Sequence, residues 1–369
     1  MTNDKLFYQV IIVGGGPAGV ATSLTLSSRG ISNCIIEASN EPIQKPGEAI
    51  PPNAKPLLKQ LGIDHLISDP KHKTYHGNKS CWGNKLLEQK EFIRDIHGSG
   101  ALLDRLYFET QLRQLVVQKD GVFLAGFKLR KVSVEKQGIK ISVENGSRSQ
   151  IMSANYIVDA TGRKASVCRQ LGVTKEILDA QFAITFDLQL NSKIARQILV
   201  EATENGWWYA APKGENELTI MFFTLQELLP NRDNISSFLI KELNTTLHLS
   251  KIIRPAPEEF KNGKVMPAGT SCLSTPYGDN WIAVGDAAYA YDPISSYGIT
   301  SALASGFYAG QALASTLSGK SDAMPTYRYI VENAFKAYMQ RLMNHYALEN
   351  RWSNSPFWKN RFQHFSQFN

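Results

Sequence analysis

Apolar residues along this chain alternate between a strand period and a helix period, and the switches mark its elements. Residues 8–13 form a short β-branched run ending in three glycines, and residues 17–28 follow with small and apolar side chains suited to a helix lying close on a sheet. Arg29-Gly30 is a natural helix stop. Residues 34–37 then predict a second parallel strand, which completes a βαβ unit. The proline-rich stretch 41–52 reads as a shaped loop. From 101 to 117, apolar residues at Leu102, Leu103, Leu106, Phe108, Leu112 and Leu115 predict a helix carrying Arg105 near its start.

Strict alternation over 139–144, with Asn145-Gly146 directly after it, is a hairpin signature. Residues 156–159 predict a buried strand closed by Ala160-Thr161-Gly162. Between about 181 and 270 the pattern changes to short alternating strands such as 182–188 and 218–223, which predict a separate antiparallel sheet. Residues 281–286 return to a buried-strand pattern, and 298–317 predict a helix rich in small residues. The first unit is thus interrupted and resumed.

A length of 369 residues with 43% hydrophobic content allows two domains with an ample core. The first seven residues carry no apolar signal core and no run of 18 apolar residues occurs, so a soluble cytoplasmic protein with no membrane partner is expected. Four scattered cysteines (Cys34, Cys81, Cys168, Cys272) have neither disulfide-framework nor metal-ligand spacing, and no metal site is expected. The net charge is +7, and the stretch 320–369 holds seven Lys/Arg against three acids, with eleven aromatics that include Trp352, Phe357, Trp358, Phe362 and Phe365. This tail reads either as a solvated basic helix capped by local aromatic packing or as a docking surface for an acidic partner. Without dense Lys/Arg clusters or a recognition motif, nucleic acid is not an expected partner.

The chemistry begins at Gly14-x-Gly16-Pro17-Ala18-Gly19, between the first strand and helix, with Glu37 ending the next strand. Gly14 permits a tight turn, Gly16 lets backbone amides approach a pyrophosphate, and Gly19 lets the helix lie near the strand. The helix N-terminus supplies free N–H groups and a positive dipole end for phosphates. Glu37 can accept the adenosine ribose hydroxyls and would repel a 2′-phosphate.

Two later segments turn a dinucleotide site into an FAD site by resemblance. The turn 157–162, ending in Thr161-Gly162, and the segment 281–288, containing Gly285-Asp286, resemble the second and third nucleotide-contacting segments of flavoproteins built like p-hydroxybenzoate hydroxylase. The resemblance implies an α/β fold with a Rossmann-like FAD-binding domain, an inserted antiparallel-sheet substrate domain and a helical C-terminal tail. Residues 1–75, 100–180 and 271–325 are expected to form the FAD-binding domain, 76–99 and 181–270 the substrate domain, and 326–369 the tail. It further implies FAD contacts at Ala38, Gly47, Arg105, Val132, Pro293, Gly298 and Ile299, although Arg105 also reads as a surface residue. A helix starting at Gly298 would point its N-terminus at the flavin and stabilise negative charge there. With a single dinucleotide fingerprint there is no resident nicotinamide domain, so any external reductant binds transiently.

The loop containing Gly47-Glu48-Ala49 resembles the flavin-covering loop of tryptophan halogenases. The Trp-x-Trp-x-Ile-Pro hallmark of those enzymes is absent, because Trp207 and Trp208 are adjacent; Lys73 and Lys79 are candidates for the relay lysine that halogenation needs. A resemblance over nearly the whole chain is to the LodB/GoxB-type flavoproteins that mature cysteine tryptophylquinone enzymes. It rests on Gly47-Glu-Ala, Ser80-Cys-Trp-Gly83, Gly206-Trp-Trp-Tyr209, Gly285-Asp-Ala-Ala, Asp292-Pro-Ile-Ser-Ser-Tyr-Gly298 and the segment from Arg351 to Trp358. It implies that the substrate is a tryptophan, with its cysteine partner, inside a precursor protein; the leading expectation is that reduced FAD and molecular oxygen oxygenate its indole ring. Glu48, Trp207, Trp208, Tyr209 and Asp292 are the catalytic candidates, the three rings reading equally as sheet core. The alternatives are a small-molecule aromatic hydroxylase or halogenase on the same scaffold, and a flavin-stabilised chaperone for a self-oxidising precursor.

Overall fold

The computed structural model describes residues 6–365 except 137, 255–259 and 261–262, without the side chains of 362–365. The expected chain ends 1–5 and 366–369, part of the second-sheet region and the tail rings Phe362 and Phe365 therefore lie outside the described residues. Leu6–Val13 and Asn33–Glu37 pair in parallel and flank the helix Pro17–Ser27, as the βαβ pattern requires. The parallel ladder continues through Val122–Ala125 on one side and through Arg148–Asp159 and Trp281–Ala283 on the other. Lys128–Glu135 and Gly138–Asn145 extend this sheet as an antiparallel meander, and Gly146 supplies the left-handed turn (φ 57°) of the predicted hairpin.

Small residues bring the helices of this layer together. Pro17–Ser27 packs on Gly298–Leu317, where a Cβ at Gly306 would stand 2.2 Å from the Ala18 carbonyl oxygen. The helix expected from 101 begins instead at Arg105, capped by Asp104, whose carboxylate accepts the Tyr107 N–H at 3.0 Å. Its expected first residues form the strand Gly100–Leu102, which pairs with Ala49–Ile50 and Lys73–Tyr75.

The second large sheet has seven strands, in the order Lys264–Pro267, Gln181–Gln189, Glu217–Leu225, Gly206–Pro212, Gln197–Thr203, Gly77–Cys81 and Glu88–Glu91. It is antiparallel except at one seam: Gly77–Cys81, which follows directly from Lys73–Tyr75 of the small three-stranded sheet, pairs in parallel with Gln197–Thr203. One face packs towards the first sheet; the other is covered by the helix Ile235–Asn244 through Leu239 and Leu243.

The tail is the largest departure from expectation. Ala323–Ala347 and Pro356–Phe365 are helical as predicted, but Phe357, Trp358 and Arg361 are fully buried rather than solvated. Trp358 donates its indole N–H to the Thr203 carbonyl at 2.9 Å and packs edge-on against Trp82. Phe357 and Trp358 therefore belong to the main core, with Trp352 packed against it. Among the described residues no helix is long and apolar enough to cross a membrane, and no group of His, Cys, Asp and Glu could hold a metal ion.

Candidate functional site

A cavity of about 840 Å³ lies between the glycine turn and the inner face of the seven-stranded sheet. Its nucleotide end follows from the βαβ crossover. Gly14 has φ +111°, and a Cβ there would stand 2.2 Å from the Ala160 carbonyl oxygen, so only glycine fits the turn. A Cβ at Gly19 would meet the Gly14 oxygen at 2.0 Å, which is the close helix–strand approach expected of it. Gly16 differs from both: its Cβ would meet no protein atom within 4 Å, because it borders the cavity. The helix N-terminus at Pro17 and Ala18 opens onto the same space.

Glu37 is held by two backbone donors, the Gly15 N–H at 2.8 Å and the Ser39 N–H at 2.9 Å, one on each carboxylate oxygen. It lines the cavity with Ala38, so its remaining lone pairs are available to a ribose. Thr161 and Gly162 border the cavity from the next strand end. The buried Asp159 fixes that turn, accepting the Thr161 N–H at 3.0 Å and the Cys168 N–H at 2.8 Å. Gly285 lies behind the wall with its N–H donated to Ser305 at 2.7 Å, while Asp286 lines the cavity and pairs with Arg163 at 3.5 Å.

Arg105 is buried, donates to the Gly47 carbonyl at 2.6 Å and pairs with Glu109 at 2.6 Å. It thereby clamps the loop 46–48 to the cavity edge. Its Nε, and that of Arg113 on the same helix, are buried without a hydrogen-bond partner among the described residues. Two orphaned guanidinium donors, a glycine open to the cavity and a free helix N-terminus fit an FAD pyrophosphate and its neighbouring groups. Arg113 and Arg163 were missed from sequence. Arg163 directly follows the Thr161-Gly162 turn and Arg113 falls two turns after Arg105 on the helix, so spacing could have found both.

Pro293, Gly298, Ile299, Asp292 and Tyr209 also line the cavity, with Phe223 and Met221 from the neighbouring strand. Val132 does not: it is buried in the meander core among Ile139, Ile141 and Val143, further along the strand whose first residues, Lys128 and Leu129, do line the cavity. The three adjacent rings of Gly206–Pro212 also separate, because successive strand residues face opposite sides. Trp208 points to the far face against Phe222 and the covering helix. Trp207 faces the near side but is fully buried, stacked on Phe223 at 3.9 Å with its N–H on the Tyr346 hydroxyl at 3.1 Å. Only Tyr209 reaches the cavity wall.

Glu48 stands just behind the Gly47 edge, 3% exposed, and its Oε2 has no hydrogen-bond partner among the described residues. Burial pushes its carboxyl up to about 7, against a smaller downward pull from Arg105. The same burial, aided by the Glu48 charge, raises the Tyr209 phenol well above its usual range. Burial likewise raises the Asp292 carboxyl, opposed by Arg361. Lys73 is exposed and Lys79 lies in the strand Gly77–Cys81; neither lines the cavity.

This geometry agrees with likenesses to known proteins. The chain is 25% identical to the FAD-dependent oxidoreductase LodB of Marinomonas mediterranea over 96% of each chain, in keeping with the resemblance drawn from its motifs. It shares its fold with the myxobacterial chondrochloren halogenase CndH at a TM-score of 0.87, with 18% identity over 96% of this chain and 86% of that one. It shares it also with QhpG, a peptidyl tryptophan dihydroxylase essential for tryptophylquinone cofactor biogenesis, at a TM-score of 0.78, with 20% identity over 96% and 78% of the two chains. The FAD binding domain family matches residues 7–341, and this chain belongs to it as an FAD-dependent oxidoreductase with the fold of flavin halogenases and hydroxylases.

Proposed function

We propose that this protein is an FAD-dependent monooxygenase that oxygenates a tryptophan side chain of a partner precursor protein during cysteine tryptophylquinone biogenesis. The observation that carries this reading is the likeness to QhpG, a peptidyl tryptophan dihydroxylase, in a chain that also matches LodB over 96% of its length. Bound FAD, once reduced by a transient external reductant, supplies the activation of O2.

The chain's own residues account for binding, exclusion of water and proton placement. Gly14, Gly16 and the helix N-terminus at Pro17 hold the pyrophosphate, Glu37 the ribose, and Arg105 the covering loop 46–48. Tyr209, Met221 and Phe223 form an apolar wall that keeps water from the reacting end. The helix starting at Gly298 presents free N–H groups and its positive dipole end to negative charge developing in the cavity. Glu48 holds a proton on a carboxyl that titrates near neutral pH, beside Tyr209 and one residue behind the cavity wall.

A second reading, halogenation, is favoured by the likeness to CndH and by 23% identity to a pyrrole-carbonyl carrier-protein chlorinase of Pseudomonas fluorescens over 92% of this chain. The position of Lys73 and Lys79 away from the cavity weighs against it. The test supplies FAD-loaded protein with reductant, O2 and an unmodified precursor polypeptide, in parallel with free phenols, free indoles and halide. Oxygen gain on a precursor tryptophan is expected. Turnover of the free aromatics without the polypeptide would replace this reading by a small-molecule hydroxylase, and a halide-dependent product by a halogenase.

A further inference from the structure

Behind the cavity loop lies an ionic cluster that none of the steps above uses. Arg361, on the C-terminal helix Pro356–Phe365, is fully buried, with a guanidinium nitrogen 3.1 Å from Asp179 Oδ2 and 3.7 Å from Asp292 Oδ2. It also donates to the Gln181 side-chain oxygen and stacks over the rings of Tyr346 and Phe357, 5.0 and 5.2 Å from their centroids. Asp179 is anchored by the N–H groups of Thr270 at 2.9 Å and Gln181 at 3.0 Å. Asp292 accepts the Ile294 N–H and the Tyr346 hydroxyl, each at 2.9 Å, and its own N–H donates to the Tyr338 hydroxyl at 2.6 Å.

The cluster joins three segments distant in sequence: the C-terminal helix, the start of the strand Gln181–Gln189, and the cavity loop 292–297. Two carboxyl groups and one guanidinium are sealed from water there, and removing one partner of such a buried set leaves uncompensated charge. The loop itself holds a residue in an unfavourable conformation. Ser296, which lines the cavity, has φ +53°, a left-handed backbone that persists in a non-glycine residue only where its surroundings over-determine it. Immediately after this loop begins the helix whose first residues, Gly298 and Ile299, form the cavity wall.

We propose that Arg361 is a positioning residue of the flavin site: acting through Asp292, it fixes the loop 292–297 and the start of the helix Gly298–Leu317 against the bound cofactor. The C-terminal helix is therefore part of the FAD site although none of its described residues lines the cavity. Arg361 neutralises a wall carboxyl from behind, and Tyr338 and Tyr346 hold that carboxyl's position from the neighbouring helix. The inference rests on the cavity being the FAD site and is independent of the substrate.

The test measures FAD affinity and the visible flavin spectrum for Arg361→Met in the wild-type and in the Asp292→Asn backgrounds. In the wild-type background, Arg361→Met is expected to weaken FAD binding about tenfold and to shift the flavin bands, the size of a coupling of about 1.4 kcal/mol. In the Asp292→Asn background the same substitution is expected to change affinity by less than about twofold, because its route to the cofactor is already cut. An equal change in both backgrounds would overturn the proposal. So would a lowered melting temperature with unaltered affinity and spectrum, which would leave Arg361 a purely structural residue. If Arg361→Met does not fold, Arg361→Lys, which keeps the charge but not the planar fork, is read in the same two backgrounds against the same pattern. Gly16→Val is the control for the cavity: wild-type FAD binding by that variant would refute the cavity assignment itself, separately from the role of Arg361.

Discussion

Glu48→Gln should change how stability depends on pH, by an amount that follows from where Glu48 sits. The carboxyl is 3% exposed, with one oxygen unpartnered, and burial lifts it from 4.5 to about 7. At 1.36 kcal/mol per pH unit, keeping Glu48 ionised in the folded chain costs about 3 kcal/mol. Between pH 4.5 and 7 the folded chain retains a proton that the unfolded chain has released. Stability therefore falls as pH rises through that window and levels off above it. Glutamine keeps the shape without the charge, so Glu48→Gln removes this slope and is more stable than the wild type above pH 7 by about 3 kcal/mol, with a much smaller difference below pH 4.5. Urea unfolding of the FAD-saturated proteins across the window measures it directly. If the difference between the two proteins is the same at both ends of the window, Glu48 is not the neutral-range group described here. If Glu48 also supplies the proton in turnover, the limb of the kcat/KM profile near pH 7 disappears in the same variant.

Two further substitutions separate cofactor binding from folding. Gly16→Val adds a side chain where no protein atom lies within 4 Å and the backbone is ordinary, so the FAD-free protein should melt as the wild type does while FAD binding is lost. Maturation of a precursor by that variant without FAD would establish the chaperone reading instead. Trp208→Ala opens the far-side core, and should cost about 3–5 kcal/mol in unfolding while leaving turnover per FAD-bound molecule unchanged; a turnover loss without a stability loss would return Trp208 to the site.

Much of this architecture was legible because local chemistry dictates it. Between Gly14 and Gly19 glycine is required at both ends, where a Cβ would meet backbone, while Gly16 borders the cavity; the hairpin at Asn145-Gly146 requires positive φ, and small residues mark the helix Gly298–Leu317 that must lie close on its partner. What failed was decided by distant neighbours. Trp207, Trp208 and Tyr209 are consecutive, yet strand alternation sends one ring to the far face and an intervening Phe223 hides another, leaving only Tyr209 at the wall. Arg361 lies in a basic, aromatic stretch that reads as solvated, and its counter-charges Asp179 and Asp292 are 182 and 69 residues away along the chain. The parallel seam between Gly77–Cys81 and Gln197–Thr203 likewise has no local signature, since it is fixed by where the chain crosses from one sheet to the other.

The most direct measurement supplies the FAD-loaded protein and an unmodified precursor polypeptide with reductant under isotopically labelled O2, and reads the precursor by peptide mass spectrometry. Labelled oxygen on a tryptophan side chain, absent with Gly16→Val, is the predicted result. A precursor that gains no oxygen, or gains it from water rather than from O2, would contradict the monooxygenase account.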